Sequence, residues 1–260
     1  VGGVSLPRLR LNPFWLIFSL PVYIGWRLLP ALANGPIQMG IGAALLVGCC
    51  VLIPLSVRVR SLRNPTLAAL LAWTGLLSMG FFSSLFAFAV LRDVVLLGAH
   101  MLLSAGQFAS LAASSARWTV ALAALVTLAG WLIARRPRIL DVDIPLAGLP
   151  AGLQGFRIAQ ISDVHVGPTI RRGFVERIVA RVSDLNADLI AVTGDLVDGS
   201  VQQLSLHTAP LAGLTARHGA YFVSGNHEYY SGELAWTAEI SRLGMRVLKN
   251  EHVVLKHGGA

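Results

Sequence analysis

In FRIAQISDVHVGPT, residues 156–169, a short apolar run ends abruptly in Asp163 and His165. The figure recurs twice downstream. LIAVTGDLVDG at 189–199 ends in Gly194, Asp195 and Asp198, and YFVSGNHEYYSG at 221–232 carries Gly225, Asn226, His227 and Glu228. Brief apolar runs bounded by turn residues read as buried strands, so strands are expected at 156–162, 188–193 and 220–224. Between the first two, 171–186 reads as an amphipathic helix with Phe174, Ile178, Val182 and Leu185 inward. Helices are also expected at 203–214 and 233–243, and short strands at 245–248 and 252–255. Strands alternating with helices specify an α/β domain with a parallel sheet. In such sheets ligands bind beyond the carboxyl ends of the strands. Three consecutive loops therefore deliver their polar residues to one edge.

Each cluster alone has a plain structural reading: Asp163 caps a turn, Gly194-Asp195 makes a tight bend, and Asn226 tolerates a left-handed backbone. Nine specified residues in fixed order at three strand ends are not explained that way. Their chemistry is consistent, because carboxylate oxygens and imidazole nitrogens are ligands for Mn, Fe or Zn. Two such ions clamp a phosphoryl group and activate water.

Asp163-x-His165, Gly194-Asp195-x-x-Asp198 and Gly225-Asn226-His227-Glu228 resemble the first three motifs of the calcineurin-like metallophosphoesterases. The surrounding text is similar to the membrane-anchored bacterial branch of that family. The resemblance implies an α/β/β/α sandwich with two divalent metal ions between the loops, their identity left open among Mn, Fe and Zn. It implies that Asp163 and His165 bind the first metal, that Asp195 bridges both and that Asn226 binds the second. His227 then faces the phosphoryl group as stabiliser or general acid, and Asp198 orients and polarises His227; Glu228 is read as structural. The family pattern continues with a further histidine and a Gly-His-x-His motif. The sequence stops at Ala260 before either, so the expectation is the first half of the sandwich only, a fragment poorly active by itself. His252 and His257 lack the Gly-His-x-His spacing and, with His207 and His218, are read as surface histidines.

Upstream the composition changes. The 260 residues are 55% hydrophobic and 13% charged, with a mean hydropathy of +0.66, whereas a water-soluble domain carries about 25% charged residues. Residues 1–134 hold eight arginines and one acid, Asp93, while 135–260 hold thirteen basic and twelve acidic side chains. The pI near 10.5 therefore reports arginines flanking apolar runs, not a nucleic-acid surface. The adjacent Cys49 and Cys50 cannot staple distant segments.

A hydrocarbon core about 30 Å thick is crossed by roughly 20 apolar helical residues. Spans are expected at 14–32, 37–57, 66–91 and 118–134. A signal peptide is the rival reading of the first, with Arg8 and Arg10 as its basic region and Ala31-Leu32-Ala33 as its cleavage site. Residues 94–113 carry His100 and Gln107 and read either as an interfacial segment or as a fifth span. With four spans, Arg8, Arg10, Arg58, Arg60, Arg63, Arg135, Arg136 and Arg138 share one side against Arg92 and Arg117. Five spans divide the loop arginines six against four. Positive charge gathers on the cytoplasmic side, so four spans with a cytoplasmic domain are expected.

The organisation is thus a multi-span α-helical membrane region at 1–134, a Pro- and Gly-rich linker at 135–155 containing one short strand at 139–144, and an α/β domain at 156–260. The resemblance implies a membrane-bound phosphohydrolase of a phosphodiester or pyrophosphate, acting on a phosphorylated or lipid-linked small molecule such as UDP-diacylglucosamine, the substrate of some relatives. The alternative is a non-catalytic membrane protein whose incomplete phosphoesterase domain binds a ligand or partner. A transporter is disfavoured, because charged residues look absent from the span interiors.

Overall fold

The computed structural model describes residues 13–62 and 64–259. Arg8, Arg10 and Arg63, which enter the charge count, lie outside the described residues. The chain divides into two units, Val1–Ile133 and Ala134–Ala260.

The described residues of the first unit form four α-helices: α1 (Pro13–Leu32), α2 (Pro36–Val57), α3 (Pro65–Leu102) and α4 (Ala105–Ala134), with a 3-10 turn at Arg58–Ser61 between α2 and α3. Three of them, α2, α3 and α4, are long and apolar enough to cross a membrane. Asn64 starts α3, its side-chain oxygen accepting from Thr66 N–H at 3.0 Å and Leu67 N–H at 3.1 Å, with Pro65 at the first helical position, where its missing N–H costs nothing. Ala68, Ala72, Gly75, Phe82, Leu85, Ala89, Arg92 and Leu96 are its buried residues, a stripe at three- and four-residue spacing. The close approach of α2 and α3 requires Gly75, since a Cβ there would lie 2.2 Å from Ser56 Cβ and 2.6 Å from the Leu52 carbonyl oxygen.

Residues 94–113 are not an element of their own. Their first part completes α3 and their last part begins α4, with a break at Leu103 and Ser104. At 38 residues, α3 is about 57 Å long and outruns a hydrocarbon core. Arg92 and Asp93, just beyond the span expected at 66–91 and counted there as loop residues, lie within the continuous helix α3 instead. The Arg27 Nε and Nη2 groups of α1 donate to Asp93 Oδ2 and Oδ1, both at 2.7 Å, and Tyr23 OH donates to Oδ2 at 2.6 Å. Arg92, only 7% exposed, donates to Ser115 Oγ at 3.0 Å and to the carbonyls of Ala112 at 2.8 Å and Arg27 at 3.3 Å. One charged network thus ties α1, α3 and α4 together.

The second unit is built on one parallel sheet in the order β1 (Ile158–Ile161), β2 (Leu189–Val192), β3 (Ala220–Phe222), β4 (Arg246–Val247). The register sets Ile161 beside Val192, Val192 beside Phe222 and Phe222 beside Val247. Helices α5 (Arg172–Asp184), α6 (Val201–Thr208), α7 (Asn226–Ser231) and α8 (Glu233–Arg242) follow the strands. Burial alternates along the strands. Ala159, Ile161, Ile190, Val192, Ala220 and Phe222 join Val175 and Ile178 of α5, Leu204 of α6 and Trp236 and Ile240 of α8 in the core. On the opposite sheet face Ile158 is 58% exposed, while Leu189, Ala191 and Tyr221 are half-buried. The expected strands at 139–144 and 252–255 are irregular, because neither finds a ladder partner and a strand exists only as paired backbone.

Candidate metal centre

The site is assembled by three strand-to-loop transitions at one end of the sheet. Beyond β1 and β2 the chains stay paired: Asp163 N–H donates to the Gly194 carbonyl at 3.2 Å, His165 N–H to the Asp195 carbonyl at 3.1 Å, and Val166 N–H to the Leu196 carbonyl at 2.8 Å. This pairing turns Asp163, His165 and Asp195 toward one point through left-handed backbone, with φ of 55°, 52° and 51°. Such conformations cost non-glycine residues of order 1–3 kcal/mol each and collect at functional sites. The loop after β3 closes on the same point because two glycines let backbones touch. A Cβ on Gly194, at φ 86°, would stand 2.4 Å from Gly225 N, and one on Gly225 would stand 2.2 Å from Asp195 Oδ1.

Glu228 holds these loops together. Completely buried, its carboxylate accepts from four backbone N–H groups: Gly225 at 2.7 Å, Asp195 at 3.0 Å, Leu196 at 2.8 Å and Val197 at 3.2 Å. It stands at the third position of α7, where a Glu normally reaches back to its own helix cap. That spacing signals the bond to Gly225; the three bonds to the neighbouring loop carry no sequence signal.

Two overlapping sets of potential ligand atoms result, each with its atoms within 4.8 Å of one another: Asp163, His165 and Asp195, and His165, Asp198 and His227. Asp198 Oδ1 meets His227 Nδ1 at 2.5 Å and His165 Nδ1 at 3.4 Å, so one carboxylate serves both imidazoles. The rings of His165 and His227 cross edge to face at 4.4 Å. His227 N–H donates to Asp195 Oδ1 at 3.0 Å. Asn226 opens α7, exposed, between Gly225 and His227. Carboxylates and imidazoles half-open to solvent fit hard or borderline divalent cations.

The other histidines stay outside this cluster; of the four read as surface residues, His252 is exposed, while His207, His218 and His257 are half-buried. His218 Nε2 and His257 Nδ1 lie 2.9 Å apart, with the Phe156 ring against both, because the irregular segment after β4 returns along the loop before β3. His207 is half-buried, its Nδ1 without a hydrogen-bond partner. Burial, reinforced by Arg171 and Arg172, holds its pKa below the ordinary 6.5.

Residues 156–259 match the calcineurin-like phosphoesterase family, so the α/β unit carries a calcineurin-like metallophosphoesterase domain. The chain is 39% identical over 120 residues to a transmembrane protein with metallophosphoesterase domain from Danio rerio, covering 46% of this chain and 28% of that protein. A Bos taurus protein of the same description is 37% identical over 128 residues, or 49% and 29%. The UDP-2,3-diacylglucosamine pyrophosphatase LpxG of Chlamydia trachomatis serovar D is 33% identical over 119 residues, or 44% and 36%. The matched part of this chain thus spans well under half the length of these relatives. No solved structure matches the chain.

Proposed function

We propose that this calcineurin-like metallophosphoesterase domain belongs to a membrane-bound hydrolase that cleaves a phosphodiester or pyrophosphate bond with the help of two divalent ions. The observation that carries the reading is the convergence of Asp163, His165, Asp195, Asp198 and His227 from three adjacent strand ends, their ligand atoms within 4.8 Å of one another in two sets.

Asp163 and His165 would hold one ion, Asp195 would bridge, and Asn226 would contribute to the second. Bound there, divalent ions polarise phosphoryl oxygens and lower the pKa of water. The chain's own part is positioning and proton transfer. With His227 Nδ1 engaged by Asp198 at 2.5 Å, its Nε2 is the atom left to take up or deliver a proton. A carboxylate in that position fixes the tautomer and steadies the imidazolium. Asp195 Oδ1, by accepting the His227 N–H, keeps the loop carrying the histidine against the loop carrying the ligands.

A lipid-linked nucleotide is the substrate class we favour. Its support is the domain's attachment to a unit with three candidate membrane helices and the likeness to a UDP-2,3-diacylglucosamine pyrophosphatase. The arginine distribution supports a cytoplasmic domain. A reporter fused after Ala134 tests this, and periplasmic activity there would overturn it.

The decisive assay is Mn-dependent hydrolysis of bis-p-nitrophenyl phosphate by the full-length protein in nanodiscs, with Asp195→Asn beside it. Hydrolysis that falls at least about a thousandfold in the variant, together with Mn binding, supports the hydrolase. Mn binding without turnover in the wild type supports the non-catalytic reading instead.

A further inference from the structure

The motif that supplies His227 also supplies two large side chains that the metal centre does not use. Tyr229 and Tyr230 of α7 are 68% and 74% exposed, and Leu234 in the first turn of α8 is 77% exposed. Their exposure follows from how the helices are pinned. Glu228 points inward to its four N–H donors. Ser231 Oγ donates to the Val197 carbonyl, and the buried Trp236 donates through Nε1 to the Gly199 carbonyl at 2.8 Å. Gly232, at φ 98°, reverses the chain between α7 and α8. With the inner sides so anchored, the two tyrosines and Leu234 share the outer rim.

This rim is continuous with the candidate metal centre. The Tyr230 ring meets the His227 ring edge to face at 5.9 Å, and His227 meets His165 at 4.4 Å, so three rings run from the ligand cluster to the surface. The nearest charges on α8 cancel, because Glu233 is paired with Lys249 at 2.6 Å. A neutral aromatic rim beside a polar cluster complements a molecule with an anionic end and a planar organic end. Exposed apolar groups gathered at the mouth of a polar site mark where a ligand's organic part rests.

We propose that Tyr230, flanked by Tyr229 and Leu234, forms a shelf that takes the planar ring of an aryl or nucleoside group attached to the phosphate, while the phosphate occupies the Asp/His cluster. The shelf rests on the phosphohydrolase reading for the placement of the phosphate. It deepens that reading by naming the organic group the site selects. An offset or edge-to-face ring on Tyr230 follows the preference of aromatic pairs, and stacking of this kind tolerates any planar base.

The test is equilibrium binding of non-hydrolysable probes to the full-length, Mn-loaded protein in nanodiscs, with phenylphosphonate, methylphosphonate and hexylphosphonate titrated into wild type, Tyr230→Ala and Tyr230→Phe. The expected result is that phenylphosphonate binds wild type about tenfold more tightly than methylphosphonate. Tyr230→Ala should abolish that ratio, and Tyr230→Phe should keep it, with Mn affinity the same in all three. An unchanged ratio in Tyr230→Ala, no ratio in wild type, no phosphonate binding at all, or loss of Mn from the variant would each overturn the shelf. Hexylphosphonate binding as tightly as phenylphosphonate would also overturn it, because the rim would then read only hydrophobicity. Failure of the hydrolase reading looks different: the ring-selective, Tyr230-dependent binding remains, but no p-nitrophenol is released from bis-p-nitrophenyl phosphate.

Discussion

Each unit contains a carboxylate withdrawn from solvent, and the two are stabilised in opposite ways. Asp93 of α3 is met by side chains alone: both guanidinium arms of Arg27, the hydroxyl of Tyr23 and, at 3.6 Å, Arg92. Glu228 of α7 is met by main chain alone, through four N–H groups. The difference follows from what each architecture leaves unpaired. In long apolar helices nearly every N–H is committed to its own helix, so a charge can be satisfied only by side chains reaching across from neighbouring helices. Loops that follow parallel strands have N–H groups to spare, and a carboxylate placed among them needs no cation and orders the loops it touches. The helical unit therefore uses a charge to join helices. The α/β unit uses one to shape a site.

The sharpest way to break this contrast is Glu228→Ala. Four buried donors lose their acceptor, and destabilisation of the α/β unit by at least about 3 kcal/mol is expected. Hydrogen exchange at the Leu196 and Val197 amides reads it directly, and protection equal to wild type would show that the carboxylate is dispensable. Gly194→Ala should follow. It forces a side chain onto φ 86° and into Gly225, a loss of about 2 kcal/mol or more, with weaker Mn binding in calorimetry because Asp195 is displaced.

In the helical unit, Arg27→Met and Asp93→Asn should each cost about 1–2 kcal/mol in detergent unfolding, and less than additively together. Full additivity would mean that the contact is incidental.

The smallest effect is electrostatic. Burial depresses the pKa of His207 below 6.5, so the unfolded chain binds the proton more readily. His207's contribution is therefore fully present above pH 6.5 and is lost as pH falls through the depressed value. Asp188, drawn below its ordinary 3.8 first by the Arg157 N–H and further by its charged neighbours, contributes above that value and fails only in stronger acid. Melting curves between pH 7.5 and pH 5 should thus show a loss that His207→Gln removes, and an identical slope in the variant would contradict it.

Asp163, His165, Asp195, Asp198 and His227 were legible as a group because each follows an apolar run whose period and length mark a strand, and parallel strands bring their ends together. α7 was not legible. Six residues cannot sustain a helix by propensity, and NHEYYS is held by bonds from Glu228 to another loop. Arg92 and Asp93 looked like loop residues because two charges interrupt an apolar run. Only the arrival of Arg27, 66 residues away along the chain, and of Ser115 makes a continuous α3 tolerable there. The segments at 139–144 and 252–255 had strand-like composition, but composition supplies no partner. His218 and His257 became a pair only when the chain folded back.

Sequence alone determined the quantities that are local or periodic. These are the division into a greasy half and a water-soluble half, the alternation of strands and helices, and the identity of the residues at the strand ends. Tertiary structure decided which of those residues meet, how far α3 extends, which histidines are drawn partly from solvent, and what each buried charge is paired with. The reason is physical: burial and pairing depend on groups tens of residues apart being brought within a few ångströms, and no local pattern records which distant group arrives.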